Sequence, residues 1–169
     1  MTGLSEVERP LALFTQGLAN RIPIFHHEDQ RHAINSSNLC ELFLPQKFDY
    51  FDEPEANQDA YRWLVMQQLA FRRYDTLSFS IERARQLIPY LAAQPLPATH
   101  RSPDLDLFYQ HFPKPELASY LFYILEEYRV ANLVVAEFPG SQRLRQQYVC
   151  TKPIAVRANR RIRDGVKPT

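Results

Sequence analysis

The stretch from Lys114-Pro115-Glu116 to Phe138 constrains the fold more than any other, because a long run of helical apolar spacing lies between two hard stops. Proline fits the first turn of a helix, where its missing N–H has no intrahelical partner to lose, and Pro139-Gly140 closes the run. Leu117, Leu121, Ile124, Leu125, Tyr128, Leu133, Val135 and Phe138 spread around a wide arc, with Phe122 and Val134 beside them. A helix apolar over so much of its circumference is expected to be buried centrally rather than laid on a surface.

The rest of the chain reads around that helix. Leu4, Val7, Leu11, Phe14 and Leu18 fall at steps of three and four, which predicts an amphipathic helix over 4–20, kinked or delayed by Pro10. Residues 21–26 and 39–44 read as two short strands, expected to pair as a small hairpin or ribbon with a long tip that leans on the helices. Asp52-Glu53-Pro54 opens a second helix over 55–74, since acids and proline both suit the first turn. Ser80 is an N-cap candidate for a helix carrying Ile81, Ala84, Leu87, Ile88 and Leu91, with a bend expected at Pro89. The proline-rich run 94–104 reads as a loop, 105–112 as a short helix, 141–150 as another, and 151–163 as a possible last one broken at Pro153. The expected fold is therefore mainly α, a helical bundle with a small two-stranded β element near the N-terminus. Residues 1–150 form its helical domain, and 151–169 a basic C-terminal arm or the start of a linker.

Composition excludes several classes. At 169 residues, 45% hydrophobic and 23% charged, the chain suits one folded domain and not a disordered or repetitive segment. Four glycines leave no phosphate-cradling loop, so bound nucleotide is not expected, nor any other cofactor. Twenty basic against nineteen acidic residues give a net charge of +1, without the overall basic footprint of a nucleic-acid binder. Cys40 and Cys150 are two thiols, not a disulfide framework, and they could form at most one bridge. The N-terminus has early acids and no apolar leader, and the apolar window 130–138 is far too short for a membrane span. A cytoplasmic protein with no membrane partner is the expectation.

Candidate chemistry is sparse. His26-His27-Glu28-Asp29 with His32 is the densest group of possible metal ligands, but its spacing completes no zinc pattern and it reads as solvated loop. Asp49, Asp52, Glu53 and Glu55 are explained by complementing the start of a helix. Phe138-Pro139-Gly140-Ser141 lacks the second glycine of a nucleophile elbow. No metal site and no catalytic residue is expected. The one charged asymmetry is C-terminal: Arg143, Arg145, Arg157, Arg160, Arg161 and Arg163, with Lys152 and Lys167, face one acid, Asp164. These arginines are the candidate partner-binding residues, a patch usable by an acidic protein surface or by nucleic acid, the latter disfavoured because no aromatic residues interleave them.

Two blocks carry a family resemblance. The segment from Phe112-Pro113-Lys114-Pro115-Glu116-Leu117-Ala118 through Leu121-Phe122, Ile124, Glu126 and Arg129-Val130-Ala131, followed by Phe138-Pro139-Gly140, closely resembles a block of the CbbO/NorD family of von Willebrand factor A domain proteins. Upstream, Leu44-Pro45, Phe48, Phe51, Tyr61-Arg62 and Tyr74-Asp75-Thr76-Leu77 are similar to that family's L-P, Y-K and F-G-T-F positions in order. The resemblance covers roughly residues 10–150. It implies a non-catalytic adaptor that partners a MoxR-type AAA+ ATPase ring. In the CbbO branch the ring is CbbQ-like and the pair acts as a Rubisco activase; in the NorD branch the role is maturation of nitric oxide reductase. ATP hydrolysis would belong to the ring, Rubisco would be contacted indirectly, and the CbbO branch is the favoured reading. Full-length relatives continue into a metal-dependent A domain, whose Asp-x-Ser-x-Ser motif this sequence lacks, so the chain resembles the N-terminal domain alone. Many relatives also carry a His-bearing string before the F-G-T-F position. Here that string is Gln67, Gln68, Leu69, Ala70 and Phe71, with no imidazole. A zinc-hydrolase-like role is thereby disfavoured, and Gln67 and Glu126 would at most hydrogen-bond across facing helices.

Overall fold

A computed structural model describes residues 1–27, 41–95 and 104–150. Among the described residues there are seven α-helices and four very short strands, a mainly α fold. They divide into two compact units, one built from Met1–Tyr74 and from Val130 onward, the other from Asp75–Arg129.

The first unit begins with strand β1 (Thr2–Gly3) and helix α1 (Leu4–Ala19). Leu4, Val7, Leu11 and Thr15 are its buried face, as the three-and-four spacing requires. Thr15 returns its hydroxyl proton to the Leu11 carbonyl at 2.7 Å, so a buried polar side chain is satisfied inside its own helix. The helix runs through Pro10 without starting late. Pro10 lies on the exposed side, where the carbonyl left without its i+4 donor is open to water. Asn20, in the left-handed region at φ 52°, ends it by donating its N–H to the Gln16 carbonyl.

Strand β2 (Ile24–His27) pairs with β3 (Glu41–Leu44), and the pair is parallel, with Ile24 opposite Glu41 and His27 opposite Leu44. This corrects the expected hairpin. A parallel pair needs a crossover of about a dozen residues rather than a tight turn, and residues 28–40 provide that length. A second pair, absent from the sequence reading, joins β1 antiparallel to β4 (Lys47–Phe48).

Helix α2 (Pro54–Arg73) is the spine of this unit. Asn57, fully buried, clamps the turn before it by accepting from the Phe51 N–H and donating to the Phe51 carbonyl. Tyr61, also fully buried, packs edge-on against Phe48 and donates to the Pro45 carbonyl at 2.9 Å. Burial, with the negative field of Glu6 added, pushes its hydroxyl up to about 12. Gln68 meets the backbone of β3 with both ends of its amide, accepting from Phe43 N–H and donating to Phe43 C=O. A two-stranded edge is thus closed by a side chain instead of a third strand. Val130, Ala131 and Val134 complete this core from the C-terminal part of helix α6 (Pro115–Glu137), which leads through a 3-10 turn at Pro139–Ser141 into α7 (Gln142–Cys150).

The second unit opens with Asp75 in the left-handed region (φ 59°) and a 3-10 turn at Thr76–Ser78. Ser80 caps α3 (Ile81–Leu87), its hydroxyl accepting from the Arg83 N–H, as expected. The expected bend at Pro89 is a full break: Ile88 is extended, because a residue before proline is driven out of the α region, and Pro89 starts a separate helix, α4 (Pro89–Ala92). Helix α5 (Asp104–Gln110) follows. Asp104 reaches across to accept from the Ile81 N–H, one of the donors that the start of α3 leaves without a partner. Phe79, Phe108, Tyr109, Phe112, Phe122 and Tyr123 form a continuous cluster of tilted and edge-on rings, Phe122 and Tyr123 contributed by α6.

Helix α6 is not buried all round, which overturns the expectation from its composition. Only Val130, Ala131 and Val134 are buried along it. Leu117 and Leu121 are 49% exposed, Leu125 69% and Tyr128 64%. The wide apolar arc is two faces: the one bearing Phe122 and Tyr123 packs into the ring cluster, and the one bearing Leu117, Leu121 and Leu125 faces solvent. Apolar composition around a helix shows what it could bury, not what reaches it.

Candidate functional site

Two groupings hold side chains in arrangements that a fold alone does not require. The first is a cleft of about 270 Å³ in the first unit, where the C-terminal turns of α1 and α2 meet the end of α6. Leu18, Met66, Leu69, Ala70, Val134 and Phe138 give it an apolar lining. Arg21, Arg72 and Arg73 line it as well, and their presence follows partly from helix ends: cations in the last turn of α2 complement its dipole. Arg72 donates to the Glu41 carbonyl at 2.7 Å. Arg73 and the Tyr74 hydroxyl both donate to the Glu137 carboxylate. Partial burial, with that acceptor next to it, raises the Tyr74 hydroxyl above its ordinary value. The cleft therefore offers apolar contact with three arginines around it, one of them ion-paired with Glu137.

The second grouping lies in the other unit. Thr76 donates to Glu126 Oε1 at 2.5 Å, and Arg129 donates to both Glu126 oxygens, from Nε at 2.8 Å and from a terminal nitrogen at 2.5 Å. The fork-on-fork geometry is the strong form of a carboxylate–arginine pair. Arg129 first and then Thr76, against opposing desolvation, hold the Glu126 carboxyl below its usual range, so it is ionised at neutral pH. An ionised carboxylate with its lone pairs so occupied is a joint, not a general acid or base. Glu126 belongs to one block of the family resemblance and Thr76 to the other. Glu126 thus turns to Thr76 and Arg129 within its own unit, and on α2 the amide that bonds to the β3 backbone is Gln68.

The residues marked from sequence are dispersed. Arg143 donates to Asp59 Oδ2 at 3.0 Å while Arg62 takes Oδ1, so the buried Asp59 holds two arginines. Arg143 remains 80% exposed at its side chain. Arg145 donates to Asn132. Arg157, Arg160, Arg161 and Arg163 lie outside the described residues, as do Glu28, Asp29, His32 and Cys40. His26 stacks on Phe43 with ring centres 5.2 Å apart, in the manner of a packed ring. Among the described residues no group of three or more His, Cys, Asp or Glu is placed to hold a metal ion, and no helix is long and apolar enough to cross a membrane. The arginines of the cleft escaped the sequence reading because Arg21 and the pair Arg72 and Arg73 are fifty residues apart. Only their positions just past or within the last turns of two helices mark them.

Comparison with protein families, with curated proteins and with solved structures finds no match for this chain.

Proposed function

We propose that this chain is a non-catalytic adaptor domain that docks on a MoxR-type AAA+ ATPase ring, of the CbbO kind, and helps couple the ring to its target, Rubisco. The observation that carries the reading is the Thr76–Glu126–Arg129 joint. Thr76 of the upstream resembling block and Glu126 and Arg129 of the downstream one meet in one ion-paired contact, although Thr76 and Glu126 are fifty residues apart. Three other residues of the upstream block have structural work as well: Tyr61 bonds to Pro45 and packs on Phe48. Motif residues that hold a scaffold together, rather than lining a reactive centre, suit an adaptor better than a hydrolase. ATP hydrolysis then belongs to the ring, the complex is cytoplasmic, and neither membrane nor nucleic acid is a partner. In this reading the docking charge comes from Arg143 and Arg145 together with Arg157, Arg160, Arg161 and Arg163. The NorD-like alternative, maturation of nitric oxide reductase, shares the ring and differs in the target.

The test is co-purification of the full chain with a CbbQ-like ring ATPase, with and without ATP. A stoichiometric complex that restores activity to inhibited Rubisco is the expected result. A complex that forms but acts on nitric oxide reductase selects the alternative, and no complex at micromolar concentrations overturns both.

A further inference from the structure

Leu117, Leu121, Leu125 and Tyr128 lie along one side of α6, each exposed by about half or more, with the partly buried Ile124 among them. All five belong to the second unit. The steps from Leu117 to Leu121, Ile124 and Tyr128 are four, three and four, the heptad spacing of a seam between helices, and Leu125 lies beside that line. No acid or base falls on it: Glu116 and Glu127 flank it on one side, Arg129 on the other, and Glu126 lies behind. The ring cluster and the Thr76–Glu126–Arg129 joint take the far side of the helix, so neither uses this face. At these exposures the face presents roughly 450 Å² of mostly apolar surface, a size that on a folded protein is often functional.

From this spacing and area we infer that the face is a reversible dimerisation seam, filled by α6 of a second copy of this chain. A narrow heptad stripe fits a helix with the same stripe. Among the described helices α6 is the one that shows such a stripe to solvent: α1 and α3 each expose one large apolar side chain, Leu13 and Leu87, and α2 exposes none. A two-fold axis brings the same residues together from both copies, so one self-complementary face is enough. Leu121 and Ile124 form the centre of the seam, and Leu117 and Tyr128 its two ends. Two copies laid together cover roughly 900–1,000 Å², the lower limit for a specific interface and the class of transient contacts. The dimer is therefore weak, with a dissociation constant on the order of 10–100 µM, and the chain is monomeric at low micromolar concentration. The inference does not depend on which ring or target the adaptor serves.

The test is sedimentation velocity of the full chain from about 5 to about 500 µM. A monomer–dimer exchange that stops at two copies is expected, and it should persist from about 0.1 to about 0.5 M salt, because no charge lies on the seam. Leu121→Glu and Leu125→Glu should each weaken it at least about tenfold, since each sets a carboxylate into apolar contact. Leu13→Glu, on the exposed side of α1, should leave it unchanged. Leu125 is largely exposed and glutamate is a good helix former, so Leu125→Glu should melt as the parent does at a few micromolar. A chain still monomeric at about 500 µM, a dimer untouched by either seam variant, one weakened as much by Leu13→Glu, loss at the higher salt, or assembly beyond two copies overturns the inference. A monomeric chain whose ring ATPase is lost with Leu125→Glu overturns it too, by assigning the face to the ring.

Discussion

In the first unit Trp63, Tyr61 and Phe48 are at most 1% exposed, Phe48 and Tyr61 meeting edge-on within a core that also holds Leu42, Leu44 and Val65, with the Tyr61 hydroxyl satisfied by a backbone carbonyl. In the second unit Phe79, Phe108, Phe112 and Phe122 touch one another edge to face, and each is only half-buried. The two units reach stability by different routes. One encloses its largest side chains around a long helix; the other encloses Ile81, Leu91 and Tyr109, adds half-buried rings from α5 and α6, and ties its ends with Ser80, Asp104 and the Thr76–Glu126–Arg129 joint. Short helices cannot bury a broad stripe, so ring–ring contact and polar ties carry a larger share of their stability.

That contrast is most exposed to test by truncating a ring in each unit. Trp63→Ala should cost about 4 kcal/mol, since it empties a fully enclosed site. Phe79→Ala should cost about 2 kcal/mol, because part of its ring already meets water and its neighbours can close over the gap. Urea unfolding of the two variants measures both. Equal costs would mean that the ring cluster is as enclosed as the core of the first unit.

The next effect is electrostatic and confined to the second unit. Glu126 has a folded-state pKa below its ordinary 4.5, mainly through Arg129. A depressed carboxyl pKa stabilises the folded chain above the unfolded value, and that stabilisation is lost as pH falls through the folded value. Glu126→Gln keeps the shape and the Thr76 contact but removes the charge. It should cost about 1 kcal/mol at pH 7, a modest figure because the Arg129 side chain is nearly half exposed. The gap between parent and variant should hold from pH 7 to about 5 and close below pH 4. A gap that widens in acid would assign Glu126 the opposite sign.

Much of this architecture was legible in the sequence. Helix limits followed from spacing and proline: Pro54 and Pro115 begin α2 and α6, and Ser80 caps α3 as its side chain allows. Strand direction was not legible, because two short apolar runs such as 24–27 and 41–44 can pair either way, and the path of the connection decides. Nor was the cleft, since Arg21, Arg72, Arg73 and Phe138 look like separate helix ends until the helices pack. The Thr76–Glu126 joint was visible only as two residues in two resembling blocks, and nothing in their spacing said that they touch.

Helix α6 supplies the smallest effect and the sharpest one. Its apolar arc is continuous in sequence, yet Val130 and Val134 are buried while Leu125, one turn and a half earlier, is 69% exposed. A leucine in a core costs about 2–5 kcal/mol when truncated, and a surface residue away from caps and ion pairs stays within about 0.5 kcal/mol. Leu125→Ser should therefore change stability by less than about 0.5 kcal/mol, most of it helix propensity. Val130→Ala, on the same helix, removes buried methyl groups and should cost on the order of 2 kcal/mol. Melting the two variants side by side divides the helix. A loss at Leu125 as large as at Val130 would restore the reading in which apolar composition alone places a helix at the centre.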